Sequence, residues 1–143
     1  MSQATFAVGM DLVCISEFAQ QLELPGTRFE GVFSPTELRV AATKPSPQRR
    51  AEHLAGRWAA KEAFIKAWSQ ALYGRPPVLA EDEVRWAEIE VQPDAWGRVA
   101  ISLKGAIRER AAASLGQFFT SLSISHDGDY ATATVLLQIA SAG

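Results

Sequence analysis

The run of residues 48–73 constrains this chain most. It contains no proline, and at 100° per residue Leu54, Trp58, Ile65, Trp68 and Leu72 fall on one stripe. Gly74, Pro76 and Pro77 close it. The stripe is expected to face the core. Lys61 falls inside the stripe, and Glu62 lies beside it. A charge in that position needs a partner or an opening to solvent, so the helix is expected to border a polar cleft.

The flanking segments read as short elements. Residues 6–15 alternate, with bulky Phe6, Val8, Met10 and Leu12 between smaller or polar residues, which favours a strand. A short helix is expected from Ser16, whose hydroxyl can cap it, until Pro25-Gly26 ends it. Ser34-Pro35-Thr36-Glu37 is a helix start, with Ser34 as N-cap, Pro35 in the first turn and Glu37 completing a capping box. That helix is expected to stop before Lys44-Pro45. Residues 84–91 and 99–103 read as a hairpin around Pro93-Asp94-Ala95-Trp96-Gly97. Residues 105–115 have helical composition, and Gly116 stops them. Residues 118–126 and 130–139 form a second hairpin around Asp127-Gly128. The order implies an α+β fold, a mostly antiparallel sheet with helices packed on one face, in a single domain over residues 1–143.

Composition narrows the class of function. Fourteen Lys and Arg against sixteen Asp and Glu give a formal charge of -2, which argues against a surface built to grip nucleic acid. No apolar run reaches the ~18 residues of a membrane span. No signal peptide is visible, and the one cysteine, Cys14, admits no internal disulfide, so a cytoplasmic protein is expected.

The candidate chemistry is carboxylate-based. There is no P-loop, paired-cysteine zinc site or His-Glu-x-x-His motif, and His53 and His126 are the only histidines. Ser125, His126 and Asp127 adjoin, but without a nucleophile elbow their adjacency makes no triad. Asp11 sits in an apolar strand, and Glu62 lies near Arg57, Lys61 and Lys66 on the long helix. Two carboxylates suit magnesium, which fills its remaining shell with water and substrate phosphates, and the basic residues suit the phosphates themselves.

Three stretches together resemble a known family. Gly9-Met10-Asp11-Leu12-Val13, Gly56-Arg57-Trp58-Ala59-Ala60-Lys61-Glu62-Ala63-Phe64-Ile65-Lys66-Ala67 and Ser123-Ile124-Ser125-His126-Asp127 look like the holo-acyl-carrier-protein synthases, the small members of the 4'-phosphopantetheinyl transferase superfamily. Ile89-Glu90-Val91 and Trp96-Gly97-Arg98 match the family's hairpin, and the stretches follow in the family's order. The resemblance implies transfer of 4'-phosphopantetheine from coenzyme A to a serine of an acyl carrier protein or carrier domain in fatty-acid biosynthesis, with release of adenosine 3',5'-bisphosphate. By position it makes Asp11 and Glu62 magnesium ligands and Glu62 and Lys66 catalytic. Arg57, Lys61, Lys66 and His126 would hold coenzyme A. The serine's proton would go to Glu62 or to a metal-bound water. The family implies a homotrimer with active sites between subunits.

The chain departs from the family's pattern in three places. Cys14 stands where a carboxylate is frequent and is expected to be a packing residue. Glu17 stands where a basic residue commonly meets the acidic carrier, a role Arg28, Arg39, Arg49 or Arg50 could take over. Val99 replaces a common proline. Two other readings stay open at this stage: a module that binds coenzyme A or a nucleotide without turnover, and a small metal-dependent phosphohydrolase.

Overall fold

The structure is a computed structural model that describes residues 5–27, 29 and 31–140. In chain order it contains β1 (Thr5–Cys14), α1 (Ile15–Glu23), α2 (Pro35–Ala42), α3 (Pro47–Ala71), β2 (Ile89–Pro93), β3 (Val99–Leu103), α4 (Gly105–Leu115), β4 (Phe118–Asp127) and β5 (Tyr130–Ile139). β1, β5 and β4 form an antiparallel sheet in that order, and β2 and β3 form a separate hairpin. The expected α+β architecture is what the chain adopts.

α3 is the centre of the molecule. Its burial is wider than the single stripe read from the sequence, since Ala55, Ala59, Ala60, Ala63 and Ala67 are also fully enclosed while Ile65 is only half-buried. The alanines let the sheet come unusually close. A Cβ placed at Gly9 would overlap the backbone of Ala63 and Ala67, so β1 crosses α3 where neither chain carries bulk. Gly56 meets β4 in a similar way, with a Cβ there reaching 3.0 Å from Ile124.

This close crossing decides which face of β1 turns inward. Ala7, Gly9 and Asp11 face α3, and bulky Phe6, Val8, Met10 and Leu12 face away from it, each more than half exposed. The second core cluster is aromatic, joining Phe18, Phe29, Phe33 and Trp58 through edge-to-face contacts.

Three local expectations change. Residues 84–88 are not strand: two short 3-10 turns, Glu81–Glu83 and Trp86–Glu88, precede β2. α1 begins one residue before Ser16, and its cap is not local. Asp129, in the β4–β5 turn, accepts hydrogen bonds from the Ser16 backbone N–H (3.0 Å) and from the Ser16 hydroxyl. Cys14 does not pack into the core; its thiol lies 3.3 Å from Asp129 Oδ2. The capping box at Ser34 and Glu37 forms as expected.

Candidate active site

Asp11 reaches the site because β1 presents its small-residue face to α3, and Gly9 brings the two backbones together one turn from Lys66. The Asp11 side chain is almost wholly enclosed. The Lys66 ammonium donates to Asp11 Oδ1 at 3.0 Å and to Met10 O at 3.1 Å. Thr132 on β5 donates to the Asp11 carbonyl at 2.8 Å, which pins the strand at this residue.

Glu62 lies four residues before Lys66, so both occupy one face of α3. With Asp11 it lines a polar cavity of about 180 Å³ that Cys14, Glu17 and Trp58 also border. With Lys66 it lines a second, mostly apolar cavity of about 420 Å³ that continues past Ser69 and Leu72. Asp11, Glu62 and Lys66 therefore converge where the two cavities meet. The two carboxylates are hard oxygen donors on one polar cavity, the set a magnesium ion takes when phosphates and water complete its shell. Among the described residues no group of three or more His, Cys, Asp and Glu could hold a metal by itself.

The other expected site residues lie apart. Arg57 is half-buried toward the N-terminal half of α3; burial pulls its pKa below the usual value, and the Glu37 carboxylate opposes that. His126, at the end of β4, has Nε2 3.4 Å from Glu52 Oε1, and Arg49 reaches the same oxygen at 3.5 Å. Glu52 precedes Glu62 by ten residues, which places His126 about 15 Å along α3 from the Asp11 cluster. Of the expected docking residues, Arg39 donates to Thr36 Oγ1 and Arg50 to the Lys44 carbonyl. Arg28 lies outside the described residues.

Lys61 corrects the sequence reading, which had it bordering the phosphates. It is fully buried, with Nζ 2.8 Å from Glu37 Oε1, 3.0 Å from Trp86 O and 2.6 Å from Ile89 O. Those three acceptors use all the hydrogens an ammonium carries. Burial lowers its pKa, and Glu37 pushes the other way. The partner that the stripe demanded is Glu37, and no opening to solvent is needed. The sequence reading missed Trp86, whose ring meets Trp58 at 4.7 Å beside Glu62. An aromatic residue in what looked like a strand carried no signal of its own.

Residues 7–135 match the family model of the 4'-phosphopantetheinyl transferase superfamily. The chain belongs to that superfamily. Within it the chain is of the holo-[acyl-carrier-protein] synthase type and is an enzyme, a phosphopantetheinyl transferase. It is 59% identical over 133 residues to the holo-[acyl-carrier-protein] synthase of Corynebacterium glutamicum, covering 93% of this chain and 98% of that one. It is 47% identical to the Mycobacterium tuberculosis enzyme of the same name over 92% of this chain and 95% of the relative. Among solved structures, the Chronobacterium ammoniagenes ACPS–CoA complex superposes with a TM-score of 0.89 at 60% identity, covering 94% of this chain and 98% of that one. The M. tuberculosis acyl carrier protein synthase gives 0.70 at 38% identity over 93% and 96%. The phosphopantetheinyl transferase fold thus extends over nearly all of the chain. No helix among the described residues is long and apolar enough to cross a membrane.

Proposed function

We propose that this chain transfers 4'-phosphopantetheine from coenzyme A to a serine of an apo acyl carrier protein or carrier domain, in fatty-acid biosynthesis. The observation that carries this reading is the convergence of Asp11, Glu62 and Lys66 at the junction of a polar and an apolar cavity. The serine Oγ attacks the phosphorus that bears the pantetheine arm. The bond from that phosphorus to the oxygen bridging the diphosphate breaks, and adenosine 3',5'-bisphosphate leaves with the bonding pair. Such a transfer needs positioning and neutralisation of charge more than covalent help from the protein.

Lys66 supplies a cation at the cavity mouth, half exposed and within reach of a diphosphate. Asp11 and Glu62 would hold a magnesium ion, which supplies charge neutralisation across the diphosphate oxygens. Glu62 would accept the serine proton. Arg57 and His126 would hold the adenosine end of coenzyme A.

The expected homotrimer is supported by the apolar row Phe6, Val8, Met10 and Leu12 on the outer face of β1, continued by exposed Leu136 and Phe119. A patch of this kind is covered by partner protein in most soluble molecules. His126, remote from Asp11 in its own chain, would serve a neighbouring protomer's site. The whole chain acts as one transferase unit in the cytoplasm, where both substrates are made, and its one thiol is unpaired.

The deciding experiment incubates the protein with coenzyme A, magnesium and an apo carrier, and reads the carrier's intact mass. A gain of one phosphopantetheine group is expected. Unchanged mass with stand-alone and embedded carriers alike overturns the reading.

A further inference from the structure

Three cavities open around Glu62, and Trp86 walls two of them. The first lies on the Asp11 side of Trp58. A second, of about 290 Å³, is lined by Trp58 and Trp86 together with Glu81 and Asp82. The third is the apolar cavity that runs along α3 from Lys66 to Leu72. The Trp86 indole, packed edge-to-face on Trp58 at 63°, lines both of the last two.

Trp86 is not placed by strand pairing, because β2 begins only at Ile89. Backbone carbonyls outside a ladder need other partners. The Trp86 carbonyl closes its own turn by accepting from Ile89 N, and Lys61 adds a second donor from within the core, to Trp86 O and to Ile89 O. Glu37 anchors Lys61 in turn: it pairs with the ammonium and accepts from Ser34 N (2.8 Å) and Val91 N (2.8 Å). The pair thereby ties α2, α3 and β2 to one turn. Apolar residues of equal volume stabilise a core as well as a buried ion pair does, so stability alone does not account for charge here. What charge adds is a fixed point for the turn that carries Trp86.

We propose that Trp86 contacts coenzyme A in the transfer site, and that Lys61 with Glu37 is the positioning pair that holds it there. The proposal rests on the transferase reading. The pantetheine arm extends from the phosphorus that Glu62 and Lys66 would address, and the apolar cavity that these two line together with Trp86 would receive its first atoms. A flat indole suits an arm whose aliphatic carbons are interrupted by amides.

The test measures KM for coenzyme A and kcat on an apo carrier for Trp86→Ala, Trp86→Phe, the double variant Lys61→Met with Glu37→Gln, and the triple variant that adds Trp86→Ala. The double change leaves no lone buried charge. Trp86→Ala is expected to raise KM about tenfold with a smaller effect on kcat, and Trp86→Phe to recover most of the loss. The double variant is expected to raise KM in the same direction, and the triple to be no worse than Trp86→Ala alone, the non-additivity of residues acting through one contact. Unchanged KM in Trp86→Ala overturns the proposal, as does full additivity in the triple variant. Should the double variant not fold, Lys61→Arg, which keeps the charge but changes the donor geometry, takes its place with the same two outcomes. Wild-type transfer in the same assay is the separate check on the transferase reading.

Discussion

Lys66 Nζ lies 3.0 Å from Asp11 Oδ1, joining the C-terminal part of α3 to a strand residue 55 positions earlier in the chain. The same amine donates to the Met10 carbonyl, so it is held by a side chain and by the strand's backbone together. This is the contact that turns two separate sequence motifs into one site.

Lys66→Ala is expected to lower kcat/KM about 10²-fold or more, the size of effect seen when one group aimed at developing charge is removed. Its stability cost should be about 1–3 kcal/mol, because the Lys66 side chain is half exposed but the Asp11 carboxylate it leaves behind is enclosed. Steady-state kinetics and a thermal melt on the same preparation check both halves. Full turnover in the variant would remove Lys66 from the mechanism.

Asp11→Asn and Glu62→Gln should each raise the magnesium concentration needed for half-maximal rate and lower the maximal rate. Chelation of divalent ions should abolish turnover in the wild type, and added magnesium should restore it. If turnover proves indifferent to chelation, the two carboxylates have another role.

Gly9→Ala is expected to destabilise the fold by about 1–3 kcal/mol, since the new methyl meets backbone that cannot swing aside. Transfer should fall by more than the folded fraction does, because any widening of the β1–α3 gap moves Asp11 from Lys66. A denaturant melt paired with an assay of the folded protein measures this. A Gly9→Ala protein with wild-type stability would contradict the close crossing.

His53 predicts an acid weakness. Burial, with Arg57 and Lys44 nearby, lowers its pKa from 6.5 to about 4. In the unfolded chain the ring takes up its proton near pH 6.5, and in the folded chain only near pH 4. Between those values the unfolded state binds more protons, so stability falls as pH drops through the window and levels off below it. The loss should be on the order of 2 kcal/mol, reduced by partial solvent screening. Melts of His53→Gln across the same range should show a flatter profile. Identical slopes in both proteins would remove His53 as the cause.

If the proposed homotrimer forms through the outer face of β1, Val8→Asp or Met10→Lys should break it, read as a shift to monomer mass by light scattering, with loss of transfer. A chain that is monomeric and active before mutation would exclude sites shared between subunits.

The residue pattern determined most elements by itself. Proline, glycine and Asp-Gly punctuation placed their ends, the Ser34–Glu37 box started α2 where expected, and the ordered motifs around Asp11, Glu62 and His126 pointed to the family before any contact was known. Local periodicity could not say which face of β1 turns inward. Phe6, Val8, Met10 and Leu12 form the bulky row of the alternation, yet the alanine-lined surface of α3 admits only small residues, so the outer face took the bulk. Nor could it assign Lys61. A buried lysine on a helical stripe looks the same whether it meets a ligand's phosphate or a carboxylate from another helix, and only the packing of α2 brings Glu37 to it. Asp129 capping α1 and Trp86 flanking Glu62 belong to the same class. Such partners are far apart in the chain, and the hydrogen bonds and ring contacts that join them come into being only when tertiary packing closes the distance.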